Sequence, residues 1–390
     1  MRVVYVAGFR QHVGKTLASL GIISELKRFI PAEKIGYIKP VGQELVELDD
    51  GTRVDKDATI IERFALPGVD MAAVSPVRLG SGVTKDFLRA DDQSAVTARF
   101  ESDIATAMER LRNKWVVVAE GTGHLGVGGI VGLSNSRVSR LIDAQIVYLA
   151  GGGLGKTLDM LEVDLTYLCC TGARVRGVIF NKLLPEKIDQ MRELITEEYL
   201  TRRFGSPERP LSILGFLPRV DRLDKPSMEQ ISRAFRGAIV AGDVDEEAWR
   251  VPSGGVSIIS QSHENLVPAE AIAPGDIVIL SSLSRRRLGM ILEHNAGLPS
   301  ERQIAGLVLT STKRNARLDE SIRIARASGV PALYVPDDTH SADEKVYECI
   351  QSTKLQPYDE GKSRQIVELF AKHFDTEGFL EAWGLGQKNR

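Results

Sequence analysis

Two glycine-rich stretches, each ending in Lys-Thr, could bind a phosphate. The first is GFRQHVGKT, Gly8–Thr16, and the second is GGGLGKT, Gly151–Thr157. In a phosphate-binding loop, backbone N–H groups point inward, the lysine neutralises the terminal phosphates and the next Ser or Thr holds Mg²⁺. The usual pattern is G-x-x-x-x-G-K-[ST], whereas the first stretch has five residues between its glycines and the second has three. Both lie between an apolar run and a helical pattern, so neither the spacing nor the context shows which of the two binds phosphate.

Acidic residues and a further lysine follow other apolar runs. The run VVVAE ends at Glu120, while Asp55 and Asp57 follow a second run that ends near Lys39. Mg²⁺ prefers oxygen ligands such as carboxylates, and a second fixed positive charge would help to neutralise a phosphate. The alternative for each of these residues is a charged side chain that faces water at the end of its strand.

The apolar runs predict the elements that must position these residues. They are short, continuous and separated by helical patterns, which is typical of a parallel sheet covered by helices on both faces, an α/β fold. The carboxyl ends of such strands meet the helix starts at one edge, where ligands bind. The predicted strands are RVVYVA (2–7), KIGYIKPV (34–41), WVVVAEG (115–121), AQIVYLAGG (144–152) and RGVIFNKL (176–183).

A second, smaller unit of the same class follows. At 390 residues the chain is too long for one core, and the pattern loosens into charged helical sequence around 219–250. Predicted strands resume at 274–282, 304–312 and 330–336, with helices at 316–328 and 342–351, and an amphipathic tail occupies 361–384. We therefore predict two domains.

Charge and cysteine content exclude several classes. The formal net charge is −2 with both signs interspersed, which argues against nucleic acid as the main partner. The three cysteines, two of them the neighbours Cys169 and Cys170, give no disulfide framework or structural zinc site. No apolar run approaches the ~20 residues that span a bilayer, and the N-terminus has no leader pattern. We expect a cytoplasmic protein without a membrane partner.

The motifs, in this order, resemble those of dethiobiotin synthetases. That family's loop reads Gly-Thr-Asp-Thr-x-Val-Gly-Lys-Thr, with the same five-residue gap, and this chain keeps Gly8, Val13, Gly14, Lys15 and Thr16 of it. The segments YIKPVGQ (37–43), DATII (57–61) and EGTGHLGV (120–127) resemble further motifs of the family. By this analogy GGGLGKT matches a Gly-Leu-Gly loop near the active site, which leaves GFRQHVGKT as the phosphate-binding loop.

The resemblance implies a function for individual residues and the cofactors ATP and Mg²⁺. Lys15 would contact the terminal phosphates, and Lys39 would stabilise the charge that develops where a substrate oxyanion meets the γ-phosphate. Asn181 would read the adenine edge, with GFLP (215–218) near the base; a turn residue closing a strand is the alternative for Asn181. The nucleotide-binding residues would be Gly8, His12, Val13, Gly14, Lys15, Thr16 and Asn181, and the Mg²⁺ ligands Thr16, Asp57 and Glu120.

Over its whole length the chain is similar to the N-terminal region of long bacterial phosphate acetyltransferases. Those proteins join a dethiobiotin synthetase-like domain to a DRTGG domain, which implies a P-loop domain over 1–224, a DRTGG-like domain over 225–355 and a helical tail over 356–390. The naming signature is replaced by SSLSRRRLG (281–289). The resemblance implies a regulatory or self-associating second domain and a homodimer. We expect no acetyl transfer, because the chain has no acetyltransferase domain.

Three functions remain open at this stage. The first is an ATP-dependent synthetase that activates a small carboxylate or carbamate by phosphorylation. The second is a non-catalytic nucleotide-binding regulator that acts through the second domain. It is favoured because Phe9, Arg10, Gln11 and His12 replace the Thr-Asp-Thr-Glu that faces substrate and metal in the family. His12 could act on substrate or phosphate, or contribute only its backbone. The third is a small-molecule kinase, for which we find no lid of arginines.

Overall fold

The computed structural model describes residues 1–235, 238–241, 247–259, 272–311, 316–352 and 354–386. They form two compact units, of which the first comprises Met1–Arg219 with Ser363–Arg390 and the second Val220–Lys362. These limits differ from the predicted ones at 224 and 355. The segment predicted as a separate tail, 356–390, is divided, and its residues from Ser363 onward belong to the first unit.

The first unit is built on a six-stranded parallel sheet with the order β10-β9-β8-β1-β7-β2. Two small two-stranded sheets, β3 with β6 and β4 with β5, accompany it. The strands are β1 Arg2–Gly8, β2 Ile35–Ile38, β3 Val41–Gly42, β4 Leu45–Glu47, β5 Arg53–Asp55, β6 Val77–Arg78, β7 Val116–Glu120, β8 Gln145–Ala150, β9 Arg174–Leu183 and β10 Ser212–Pro218.

Helices connect these strands. They are α1 Lys15–Leu26, α2 Lys56–Phe64, α3 Val83–Arg89, α4 Gln93–Arg110, α5 Asn135–Leu141, α6 Leu154–Cys170, α7 Ile188–Leu194 and α8 Glu197–Phe204. Strand β1 is buried on both faces, as its continuous apolar sequence predicts. Tyr5 belongs to a cluster with residues of α5 and α6, such as Val138 and Leu161, while the alternate residues Val4 and Val6 are also fully buried.

The register aligns the strand ends that the site needs. Val6 of β1 pairs with Glu120 of β7, and Gly8 pairs with Leu149 of β8. Ala150 in turn pairs with Phe180, the residue before Asn181. The carboxyl ends of β1, β7, β8 and β9 therefore lie along one edge of the sheet, and α1 starts from that edge.

The second unit has a five-stranded mixed sheet with the order β11-β15-β14-β13-β12, in which only β11 is antiparallel. Buried clusters cover both of its faces. Its strands are β11 Ile239–Ala241, β12 Val256–Ile259, β13 Ile277–Ser281, β14 Gly306–Thr310 and β15 Ala332–Val335; its helices are α9 Met228–Ala234, α10 Glu247–Arg250, α11 Arg285–Ala296, α12 Ala316–Ala327 and α13 Thr339–Ser352. Parts of the DRTGG-like stretch, 260–271 and 312–315, lie outside the described residues.

The C-terminal helices α14 Glu360–His373 and α15 Thr376–Ala382 explain why the tail is not separate. The ring of Phe370 packs so tightly on α1 that a Cβ added to Gly21 would lie 2.2 Å from it. Thr376 also donates to the Glu25 carboxylate of α1 at 2.9 Å. The apolar face of the tail is thus buried against the helix that follows the phosphate loop, a contact between residues far apart in sequence.

The predicted α/β class is confirmed for both units. Within the described ranges, no helix combines the length and the apolar character needed to cross a membrane.

Candidate nucleotide-binding site

The loop Gly8–Thr16 makes a tight turn between β1 and α1. Gly14 precedes the first residue of α1 with a φ of 99°, and His12 has a φ of 59°. A Cβ at Gly14 would lie 2.6 Å from Nδ2 of Asn181, and one at Gly8 would lie 2.6 Å from Cγ1 of Val13. Both glycines are therefore required by close approach, and Gly14 also by its positive φ. The N-terminus of α1, with its partial positive charge, opens directly from this loop.

Lys15 is largely buried at the start of α1. Its Nζ donates to the backbone carbonyls of Gly123, at 2.7 Å, and Arg10, at 3.2 Å. Gly123 belongs to the segment EGTGHLGV that follows β7. The lysine is thus held between the phosphate loop and the segment that carries Glu120, where its charge faces the ligand edge of the sheet.

Four predicted residues meet in one hydrogen-bonded network. The Thr16 hydroxyl donates to Glu120 Oε1 at 2.9 Å. Lys39 Nζ donates to the same Oε1 at 2.8 Å and to Asp57 Oδ2 at 2.6 Å. Lys39 and Glu120 are almost completely buried, so this is not a surface ion pair. The network excludes the alternative that these charges simply face water.

The network shifts the pKa values of its members. Burial lowers the pKa of Lys39, but the carboxylates of Asp57 and Glu120 outweigh it and hold that pKa well above its usual value. Burial also opposes ionisation of Asp57, yet the charge and hydrogen bond of Lys39 keep the pKa of Asp57 below its usual range. Burial raises the pKa of Glu120, an effect that Lys39 partly offsets. Lys39 is therefore a permanent cation here.

Residues that sequence reasoning missed hold these groups in place. The hydroxyl of Tyr37 donates to Glu120 Oε2 at 3.0 Å. Asp55, predicted only as a nearby acid, caps α2 by accepting from the Asp57 backbone N–H at 3.0 Å. The side chain of Asn135 spans the turn after β7, donating to the carbonyls of Thr122 and His124 at 2.8 and 2.7 Å. No sequence pattern signals this contact, because it joins the first residue of α5 to the turn after β7.

Asn181 contacts the phosphate loop itself. Its Nδ2 donates to the carbonyl of Val13 at 2.9 Å, and only 7% of the residue is exposed. The GFLP segment belongs to β10, where Phe216 stacks on Phe180 with ring centroids 5.0 Å apart. The adenine contacts predicted for Asn181 and GFLP stay predictions.

The second glycine-rich stretch has a different geometry. Helix α6 begins at Leu154, so Lys156 is its third residue, whereas Lys15 is the first residue of α1. Lys156 is exposed, and the buried hydroxyl of Thr157 has no hydrogen-bond partner among the residues that the structure describes. Gly151 instead packs against Asn181, where a Cβ would lie 2.4 Å from the Asn181 carbonyl oxygen. This stretch supports the loop and does not repeat it.

The donor atoms fit Mg²⁺ that is bound together with a phosphate. Hydroxyl and carboxylate oxygens are hard ligands of the kind that Mg²⁺ prefers. The Thr16 hydroxyl and the Glu120 carboxylate lie side by side, joined by a hydrogen bond of 2.9 Å, so both oxygens are within reach of one ion. In the described part of the chain, no group of three or more His, Cys, Asp or Glu side chains could hold a metal ion. Mg²⁺ at nucleotide sites draws its other ligands from phosphates and water.

Comparison with known families agrees with this geometry. Residues 2–227, more than half of the chain, match the AAA domain family AAA_26. The chain therefore belongs to this family. Together with the geometry of Gly8–Thr16 between β1 and α1, the match identifies the first unit as a P-loop nucleotide-binding domain.

Similar solved structures include MinD cell division protein from Aquifex aeolicus, 12% identical, with 57% of this chain and 84% of that chain covered and a TM-score of 0.33. MinD complexed with Mg-ADP from Pyrococcus horikoshii OT3 is 12% identical over 57% of this chain and 83% of that chain, with a TM-score of 0.32. The CBS and DRTGG domains of the regulatory region of Clostridium perfringens pyrophosphatase, complexed with diadenosine tetraphosphate, are 15% identical over 45% of this chain and 59% of that chain, with a TM-score of 0.25.

Proposed function

We propose that the first unit binds ATP with Mg²⁺ and uses it to phosphorylate a small carboxylate or carbamate, as a synthetase of the dethiobiotin synthetase-like class. The observation that carries the proposal is the buried network in which Lys39 Nζ bridges Asp57 and Glu120 beside the Thr16 hydroxyl. Binding a nucleotide needs only the loop, Lys15 and a metal-binding hydroxyl. A second buried cation at the same edge is what phosphoryl transfer needs in addition.

Each residue of the site has a separate role in this proposal. The N–H groups of the loop and Lys15 hold the phosphates, and Asn181 supports the loop from behind. Thr16, Glu120 and Asp57 would hold Mg²⁺, which would neutralise part of the charge of the phosphates. Lys39 would contact the γ-phosphate and the attacking oxygen, where negative charge is concentrated.

The proposed reaction is an in-line displacement. A carboxylate or carbamate oxygen forms a bond to the γ-phosphorus, and the bond from that phosphorus to the β–γ bridging oxygen breaks. ADP leaves with the electron pair, and an acyl phosphate remains. A nucleophile of the substrate then forms a bond to the acyl carbon and releases inorganic phosphate. Catalysis rests on positioning and charge neutralisation, for which the buried network already brings Lys39, the two carboxylates and the Thr16 hydroxyl together.

A non-catalytic regulator is the second candidate. It is favoured because Phe9, Arg10, Gln11 and His12 depart from the substrate-side residues of dethiobiotin synthetases. In that case ATP occupancy would set the state of the second unit, which resembles a DRTGG domain in sequence, within a cytoplasmic homodimer. The two candidates share the nucleotide site and differ in turnover.

The nucleotide site is tested by calorimetry with ATP and ADP in the presence of Mg²⁺. Lys15→Ala should abolish tight binding, because it removes the charge that faces the terminal phosphates. Lys156→Ala, the lysine of the other glycine-rich stretch, is the matched control and should bind as the unaltered protein does. Unchanged affinity in Lys15→Ala, or equal loss in both variants, would contradict the assignment of the phosphate loop.

A further inference from the structure

Lys39 lies between the two carboxylates of the network, where a bound metal ion would otherwise neutralise their charge. Its side chain is 4% exposed, and its Nζ lies within 2.8 Å of oxygens from both Asp57 and Glu120. A third, weaker hydrogen bond reaches the Gly121 carbonyl at 3.3 Å. An ammonium group in such contact with two carboxylates neutralises part of their negative charge in the absence of a metal ion.

The charges of the network nearly balance without a metal. Lys15 and Lys39 supply two positive charges, and Asp57, Glu120 and the buried neighbour Asp55 supply at most three negative ones, so the net charge is no more negative than −1. The third nearby carboxylate, Asp55, accepts hydrogen bonds from the backbone N–H groups of Gln43 and Glu44 at 2.8 and 3.2 Å. A free divalent cation would therefore enter a site with little net negative charge to attract it, and would meet the repulsion of two buried ammonium groups.

The oxygens of Glu120 are also engaged. Oε1 accepts from both Thr16 and Lys39, and Oε2 accepts from Tyr37 at 3.0 Å. A metal bound to Oε1 has to take the place of one of these donors, and the threonine hydroxyl is itself a candidate ligand. The hydrogen bond from Lys39 to Oε1 is then the one that must break.

We propose that Lys39 is an internal counter-cation that prevents the carboxylate pair from binding a free divalent metal ion, so that the metal enters only together with nucleotide. The inference rests on the proposed ATP and Mg²⁺ site. Incoming phosphates bring several negative charges, which pair with the metal and offer Lys39 a new partner. The same lysine thus makes metal binding depend on nucleotide. When a metal ion replaces its ammonium group at Glu120, that group would contact the phosphate instead.

The test uses Mn²⁺ as a spectroscopically visible substitute for Mg²⁺, with free Mn²⁺ measured by electron paramagnetic resonance on the full chain. Without nucleotide, the unaltered protein should show no saturable binding up to about 1 mM Mn²⁺, and it should bind Mn²⁺ when ATP is added. Lys39→Met should bind Mn²⁺ without nucleotide at least about tenfold more tightly, because it leaves two buried carboxylates uncompensated. Lys114→Met, which removes a half-buried lysine that lies away from the network and donates to the Glu33 carbonyl, is the matched control and should behave as the unaltered protein.

A double variant, Lys39→Met with Asp57→Asn, restores the charge balance and should return Mn²⁺ binding to the weak level. Submillimolar binding by the unaltered protein without nucleotide would overturn the proposal, and this measurement remains decisive if Lys39→Met does not fold. Unchanged affinity in a folded Lys39→Met, or equal affinity in the single and double variants, would overturn it as well. Absence of ATP binding by the unaltered protein would instead contradict the proposed function, whatever the variants bind.

Discussion

Replacing Asn181 by alanine tests how the phosphate loop is held. The bond from its Nδ2 to the Val13 carbonyl joins residues 168 positions apart and is buried. An intramolecular hydrogen bond of this kind contributes about 0.5–1.5 kcal/mol net. If the whole of that free energy stabilises the loop conformation that binds phosphate, Asn181→Ala should weaken nucleotide binding about 2- to 12-fold.

The assay is a titration of Asn181→Ala and the unaltered protein with ATP, GTP and inorganic triphosphate in the presence of Mg²⁺. We propose that the loop contacts phosphates and not the base, and we therefore expect the same factor for all three ligands. Thermal unfolding of both proteins checks that the variant is folded. A loss confined to ATP, with triphosphate binding unchanged, would refute the loop-positioning role and support the adenine contact that the resemblance implies.

Three further predictions concern the metal, the loop and the C-terminal helices. Glu120→Gln should spare nucleotide binding measured without metal but reduce its Mg²⁺ dependence; an untouched Mg²⁺ response in calorimetry would make this carboxylate structural. Gly14→Ala should weaken nucleotide binding because a residue with a Cβ is strained at a φ of 99°. Gly153→Ala, at a φ of −70° with open space around it, should have little effect on that affinity. Equal affinities in the two variants would contradict the loop geometry. Phe370→Ala should lower the free energy of unfolding by about 3–5 kcal/mol in chemical denaturation, and Phe29→Ala, on an exposed ring, by less than about 0.5 kcal/mol; a small effect at Phe370 would show that α14 does not stabilise the first unit.

The sequence predicted the sheet and the residues at its edge because both depend on local patterns. Continuous apolar runs indicate buried parallel strands, and the runs that end near Gly8, Lys39 and Glu120 have polar residues at or just after their carboxyl ends. Lys15, Thr16, Lys39 and Glu120 therefore converge once the strands are parallel. Asp57 does not follow from this pattern, because it lies on α2 after β5, which pairs with β4 outside the six-stranded sheet. The predicted strand limits were less accurate where a proline interrupts an apolar run. The run predicted as one strand over 34–41 is divided into Ile35–Ile38 and Val41–Gly42, because Pro40 has no N–H to donate to a ladder.

Contacts between distant segments could not be predicted in the same way. Asn181 lies beside Val13 only because the parallel sheet brings the end of β9 near the loop that follows β1. Asn135, the first residue of α5, lies beside Thr122 only because the turn after β7 folds against that helix. The tail was predicted as separate because its amphipathic pattern shows an apolar face but not its partner. That partner is α1, on which Phe370 packs.

The central claim, that this site transfers the γ-phosphoryl group of ATP to a small acid, is tested most directly by phosphate release. Purified protein would be incubated with Mg²⁺ and ATP, alone and with each member of a panel of small carboxylic and carbamic acids. Lys39→Met serves as the catalytically impaired comparison, provided that it is folded. We expect slow release without acid, stimulation by at least one class of acid, and loss of that stimulation in Lys39→Met. Tight ATP binding with no stimulation by any acid would contradict the synthetase and leave the regulator as the function of the site.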